Sequence, residues 1–147
     1  MTATQTKPIR VLVPIDGSEN SLRALDFAVD WMSRGIALEL HLLNVQPAVR
    51  GDVTAFVPKA NIESYHREEG QKALGPAEAR LAGRKIAHEV HIGVGRPAPV
   101  IAGFVRQLAI DHVVMGTRGL GSAAGLLMGS VATETIRDVT VPVTLVK

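Results

Sequence analysis

The chain has 147 residues, 46% of them hydrophobic and 20% charged, a balance that favours one packed domain over residues 1–147 and excludes a disordered chain. With 16 Lys and Arg against 14 Asp and Glu, the formal charge is +2 and no basic run is present. Aromatics are 3%, so both the electrostatic footprint and the stacking platform of a nucleic-acid binder are missing. The absence of cysteine rules out disulfides, thiolate metal sites and a cysteine nucleophile together.

The N-terminus, Met1 to Arg10, is polar, and the apolar run Val11 to Ile15 is too short for the core of a signal peptide. Gly119 to Thr133, uncharged throughout, is broken by four glycines and two serines and does not read as a membrane span. A soluble cytoplasmic protein is the expectation.

Ile9 to Ile15 has the β-branched density of a buried parallel strand and stops at Asp16-Gly17-Ser18, where turn and cap residues take over. Asp16-Gly17-Ser18-Glu19 reads as a capping box with Asp16 as N-cap, a role compatible with a ligand contact from its second oxygen. Leu22, Leu25, Phe27, Ala28, Val29 and Met32 recur at helical spacing up to Gly35, and the stripe that includes Phe27 and Trp31 is expected in the core. Ile36 to Val45 is the second strand, and Gln46 to about Pro58 is the one long loop.

Helical spacing returns from Ala60 to Ala82. Gly75-Pro76 interrupts it, predicting a kink or two separate helices, because proline inside a helix costs about 3 kcal/mol. His66-Arg67-Glu68-Glu69 reads as a solvated helix face. Lys85 to Val94 is the third strand, Pro97 opens a helix through Leu108, and His112 to Met115 is the fourth strand. A glycine-rich segment, a short helix from Val131 to Asp138 and a last strand from Val141 to Val146 complete the chain. Strict alternation of strand and helix predicts an α/β fold, a five-stranded parallel sheet with helices on both faces. In such sheets ligands bind beyond the carboxyl ends of the strands.

After the fourth strand comes Gly116-Thr117-Arg118-Gly119, then nine residues, then Gly129-Ser130. A glycine directly after a strand lets a ligand approach without a Cβ in the way. Gly129-Ser130 opens the last helix, where unpaired amides and the positive dipole end suit a phosphate, and Ser130 is a good N-cap. Hydrogen bonds to a charged group are worth roughly 1.5–3 kcal/mol, so a few amides suffice to hold a polyphosphate without a lysine. A Walker loop is absent, because Gly121 is followed by Ser122-Ala123. Gly119-Leu120-Gly121-Ser122-Ala123-Ala124 fits a dinucleotide loop in spacing, but Asp138 precedes a strand rather than ending one.

Val114 through Gly119 and Gly129-Ser130-Val131 resemble the nucleotide-binding signature of the universal stress proteins. The likeness extends to Val11 through Ser18 and to the ending Val141-Pro142-Val143-Thr144-Leu145-Val146, so it covers nearly the whole chain. It implies a Rossmann-like fold of the adenine-nucleotide alpha-hydrolase type and membership of the ATP-binding branch. ATP, carried with Mg²⁺, is the implied ligand. By position, Pro14 and Asp16 would line the adenosine end, with the Asp16 carboxylate near the ribose hydroxyls, and Val45 would offer backbone contacts to adenine. Met115 and Gly116 would flank the ribose and first phosphate. Gly119, Gly129, Ser130 and Val131 would cradle the remaining phosphates, with Arg118 adding charge by proximity.

Three features depart from the family pattern: the Gly75-Pro76 break, Arg96 in a place where acidic or small polar residues are common, and a glycine- and alanine-rich spacer that is expected to move without ligand. The histidines at 41, 66, 88, 91 and 112 show no ligand spacing, His88 and His91 are expected on opposite faces of a strand, and no metal site is predicted. The resemblance also implies a homodimer through the strand Val141 to Val146, whose exposed edge invites pairing. A nucleotide-binding regulatory dimer is the leading function. The alternatives are a slow ATPase or nucleotide-transferring enzyme, with Glu134 as a weak candidate base, and an interaction module without nucleotide.

Overall fold

A computed structural model describes residues 6–119 and 128–147, so the spacer expected to move lies almost wholly outside the described residues. The elements in order are β1 (Ile9–Pro14), α1 (Glu19–Ser33), β2 (Leu38–Gln46), α2 (Gly51–Thr54), α3 (Lys59–Gly83), β3 (Glu89–Val94), α4 (Pro97–Gln107), β4 (His112–Gly116), α5 (Ser130–Asp138) and β5 (Val143–Val146). All five strands are parallel, in the order β3-β2-β1-β4-β5.

Strand β1 lies at the centre, and Val11, Leu12 and Val13 are each 0% exposed, which is why its sequence is a continuous apolar run. Alternation sends Val11 and Val13 to one face, where they pack with Leu40, Leu42, Leu25 of α1 and Leu74 of α3. Leu12 goes to the other face, with Leu43, Val113, Ile101 of α4 and Ala132 of α5. Helices therefore cover both faces, as the alternation predicts.

Local differences from the sequence reading have identifiable causes. Ser18, not Asp16, caps α1: its side chain accepts from the Ser21 amide at 3.1 Å, while Asp16 Oδ1 accepts from the Ser18 amide at 2.9 Å in the preceding turn. Gly75-Pro76 does not divide α3, which runs as one helix through Pro76. Leu74 and Ala77, on either side of the break, are both fully buried against the sheet, and this packing outweighs the proline penalty. His66 is also buried (6% exposed), with Nε2 3.1 Å from the Pro47 carbonyl, so it belongs to the seam of α3 rather than to a solvated face. Phe27 turns outward (37% exposed), while Trp31 packs on the core and stands edge-on to His112. The long loop holds the four-residue α2. Lys85 lies in the turn that follows α3 instead of starting a strand, and His88 precedes β3.

Three helices stop in the same way. After α1, the Gly35 and Ile36 amides donate back to the Met32 and Trp31 carbonyls, with Gly35 in the left-handed region at φ +90°. Lys85 (φ 55°) after α3 and Ala109 (φ 50°) after α4 hold the same position with a Cβ present. Both side chains are exposed and contribute no core packing. Ala109→Gly and Lys85→Gly are expected to stabilise the protein by about 0.5–1 kcal/mol each, because relief of the left-handed strain exceeds the extra chain entropy. Gly35→Ala should destabilise it by a similar amount; urea unfolding of the three variants checks the signs.

Candidate functional site

The order of the strands reverses between β1 and β4. The chain leaves β1 toward α1 on one face and leaves β4 toward α5 on the other, so the two connections diverge and open a crevice. A cavity of about 450 Å³ occupies it, within the usual range of roughly 300–1,000 Å³ for small-molecule sites. Pro14 and Asp16 line it from the end of β1, and Val45 from β2. Met115, Gly116, Arg118 and Gly119 enter from the end of β4, and Gly129, Ser130 and Val131 from the start of α5. The structure thus brings all ten sequence-predicted residues to one cavity. Its inner wall is apolar, formed by Leu43, Val45, Ile101 and Met115.

The two bends are joined directly. The Gly129 amide donates to the Thr117 carbonyl at 2.6 Å, so that amide is already used. Gly129, rather than Ser130, occupies the N-cap of α5, with no side-chain cap among the described residues. The Ser130, Val131 and Ala132 amides of the first turn have no intrahelical partner, and all three residues line the cavity. This is a donor set and a positive dipole end facing a crevice, an arrangement that suits an anion.

Two glycines of the loop face protein groups at close range. A Cβ at Gly116 would lie 2.7 Å from Cγ of Asn20. A Cβ at Gly119 would overlap the Asp16 carboxylate. Asp16, Gly119 and the β1 turn therefore form one side of the cavity in close contact.

Asn20 and Thr117 are among the residues that motif reasoning missed, as are the lining residues Leu43, Ile101 and Ala132. Asn20, in the first turn of α1 and 8% exposed, accepts the Arg118 amide on Oδ1 at 2.7 Å and donates from Nδ2 to the Val146 carbonyl at 2.9 Å. The Thr117 amide donates to the same carbonyl at 2.9 Å. A polar residue in a first helical turn reads as ordinary surface, so the signal available was its proximity to Asp16 and nothing stronger. The Arg118 side chain is exposed at the rim. Arg96 precedes α4, and its guanidinium pairs with Glu134 at 3.0 Å; Glu134 does not line the cavity.

An open parallel α/β sheet with a crevice at its switch point is the class that this geometry defines. Within it, the universal stress protein family model matches residues 9–147, and the chain belongs to that family. Universal stress protein YxiE of Bacillus subtilis is 30% identical, over 94% of this chain and 98% of its own length. Universal stress protein MJ0531 of Methanocaldococcus jannaschii is 33% identical, over 94% of this chain and 81% of its own. Among solved structures, UspA of Lactobacillus plantarum superposes with a TM-score of 0.79 at 21% identity, covering 97% of this chain and 100% of that one. A universal stress protein in complex with cAMP gives 0.70 at 26% identity, covering 97% and 99%. An Arabidopsis thaliana family member with AMP bound gives 0.68 at 20% identity, covering 95% and 92%.

Gly116→Ala is expected to displace the Asn20 carboxamide and cost about 2 kcal/mol, the worth of the two hydrogen bonds it makes. Asn20→Ala should cost a similar amount. In the Asn20→Ala background the Gly116→Ala change should cost less, since the colliding carboxamide is gone and only the contact with the residue-20 backbone at 3.1 Å remains. A double-mutant cycle by urea denaturation measures this coupling, and additive costs would contradict the clash.

Proposed function

We propose that the protein is a cytoplasmic ATP-binding regulator of the stress response, a homodimer whose bound nucleotide alters its shape or its partners. The observation that carries this reading is the convergence of the predicted residues and the α5 first-turn amides on one cavity. The apolar inner wall at Leu43, Val45 and Ile101 suits adenine, Asp16 stands at the ribose, and Ser130 and Val131 face the phosphates. No lysine lines the cavity among the described residues, so the phosphates would be held by main-chain donors, the Ser130 hydroxyl and the dipole of α5. Mg²⁺ would enter on the phosphates, keeping most of its water. The cAMP- and AMP-bound relatives support an adenine nucleotide as the class of ligand.

Retention rather than turnover is favoured by the fate of Glu134, whose carboxylate is held by Arg96 outside the cavity. Asp16 is the one carboxylate among the described lining residues, and it serves the turn before α1. The dimer reading rests on β5: it closes one end of the sheet order and pairs with β4, leaving its outer backbone edge facing away from the other described strands.

Mass spectrometry of the small molecules released on denaturation should find ATP. In nucleotide-stripped protein, ATP with Mg²⁺ at about 100 times its dissociation constant should stabilise by roughly 2.7 kcal/mol, a melting shift of several degrees. Ser130→Ala should weaken ATP about tenfold or more and leave adenosine nearly unchanged, whereas Asp16→Ala should weaken both. Because a methyl at Gly119 presses on Asp16, Gly119→Ala should also weaken both ligands, not the phosphate end alone. The absence of any shift with millimolar ATP would instead favour an interaction module without nucleotide. Light scattering should return twice the chain mass.

A further inference from the structure

The parallel register of β2 and β3 makes a second cluster, on the face of the sheet covered by α4. His41 lies opposite Glu89, and Leu43 opposite His91. His41 and His91 are therefore diagonal neighbours on one face, with the His91 ring 5.6 Å from that of Phe104 on α4. His41 is 3% exposed, although its sequence neighbours Leu40 and Leu42 carry the apolar core of the opposite face. Its Nδ1 lies 2.9 Å from His91 Nε2 and 3.4 Å from Glu89 Oε2, and His91 Nε2 lies 3.9 Å from the same carboxylate oxygen. Three ligand-type atoms converge on one point.

The other side of the His41 ring fixes its tautomer. His41 Nε2 is 3.0 Å from Glu39 Oε1, and Glu39 is in turn paired with Arg10 at 3.3 Å. A carboxylate accepts, so Nε2 carries a hydrogen, and in the neutral ring the lone pair is then on Nδ1, facing His91 and Glu89. That is the carboxylate–histidine arrangement that orients imidazoles toward metals. A tetrahedral zinc ion with nitrogen and oxygen ligands at about 2.0–2.2 Å sets those ligand atoms roughly 3.3 Å apart. The three observed separations straddle that value, so modest rotation of the exposed Glu89 and a slight parting of the rings would complete the geometry. Two imidazoles select a borderline transition metal over Mg²⁺ or Ca²⁺, which take oxygen ligands.

We propose that His41, Glu89 and His91 form a zinc site that ties the edge strand β3 to β2, with a water in the fourth position and Glu39 as the positioning residue for His41. The site is separate from the nucleotide cavity and does not depend on the reading of that cavity, because none of the four residues lines it.

The test uses the full chain, stripped with chelator and titrated with Zn²⁺ against a chromophoric competitor, with and without ATP. One zinc per chain at micromolar affinity or tighter is expected, equal in both conditions. Co²⁺ should give the intense visible band of a tetrahedral site. His91→Ala and Glu89→Gln should each weaken zinc at least tenfold and diminish the band, and Glu89→Gln, at an exposed position, should also keep the metal-free melting profile. Glu39→Gln should weaken zinc about 10- to 100-fold while the band at saturation keeps its shape, since the ligands are unchanged. Absence of stoichiometric zinc from the wild type would overturn the proposal. So would unchanged affinity in both His91→Ala and Glu89→Gln, which would place the metal elsewhere on the chain.

Discussion

The placement of β1 between β2 and β4, buried on both faces, is the constraint from which the rest follows. A strand with no exposed side at Val11, Leu12 and Val13 needs helices above and below it. Its own connection and that of β4 then take opposite faces, with α1 on one and α5 on the other. Divergence of two loops at the carboxyl ends produces the crevice without any dedicated device. What lines it is decided by the residues that happen to end strands: Asp16, Val45, and the run from Met115 to Gly119.

The loop after β4 shows how little of the packing reason for a glycine is visible in a motif. Spacing marks Gly116 and Gly119 as positions where something approaches closely. In the molecule, what approaches is the Asn20 side chain in the first case and the Asp16 carboxylate in the second. The glycines let protein groups press together around the crevice. Spacing alone does not show these protein neighbours, because long-range partners carry no local signal.

Strong periodicity made the sheet and its helices legible, and turn chemistry made their ends legible to within a few residues. Two of the misreadings share one physical cause, tertiary packing overriding local preference. Pro76 stays inside α3 because Leu74 and Ala77 are clamped to the sheet, and His66 is buried by the same helix seam. The approach of His41 to His91 was hidden for a different reason. Fifty residues separate them, and no spacing rule reaches across a parallel crossover; the register of β2 with β3 alone makes them neighbours.

The carbonyl of Val146 accepts from both the Asn20 carboxamide and the Thr117 amide, and Asn20 also holds the Arg118 amide. The mouth of the crevice and the terminal border of the sheet thus share a fastening. Rearrangement of the loop at Arg118 pulls on the same carboxamide that anchors the final strand. Whatever settles into the crevice is in mechanical contact, two hydrogen bonds away, with the outermost strip of backbone.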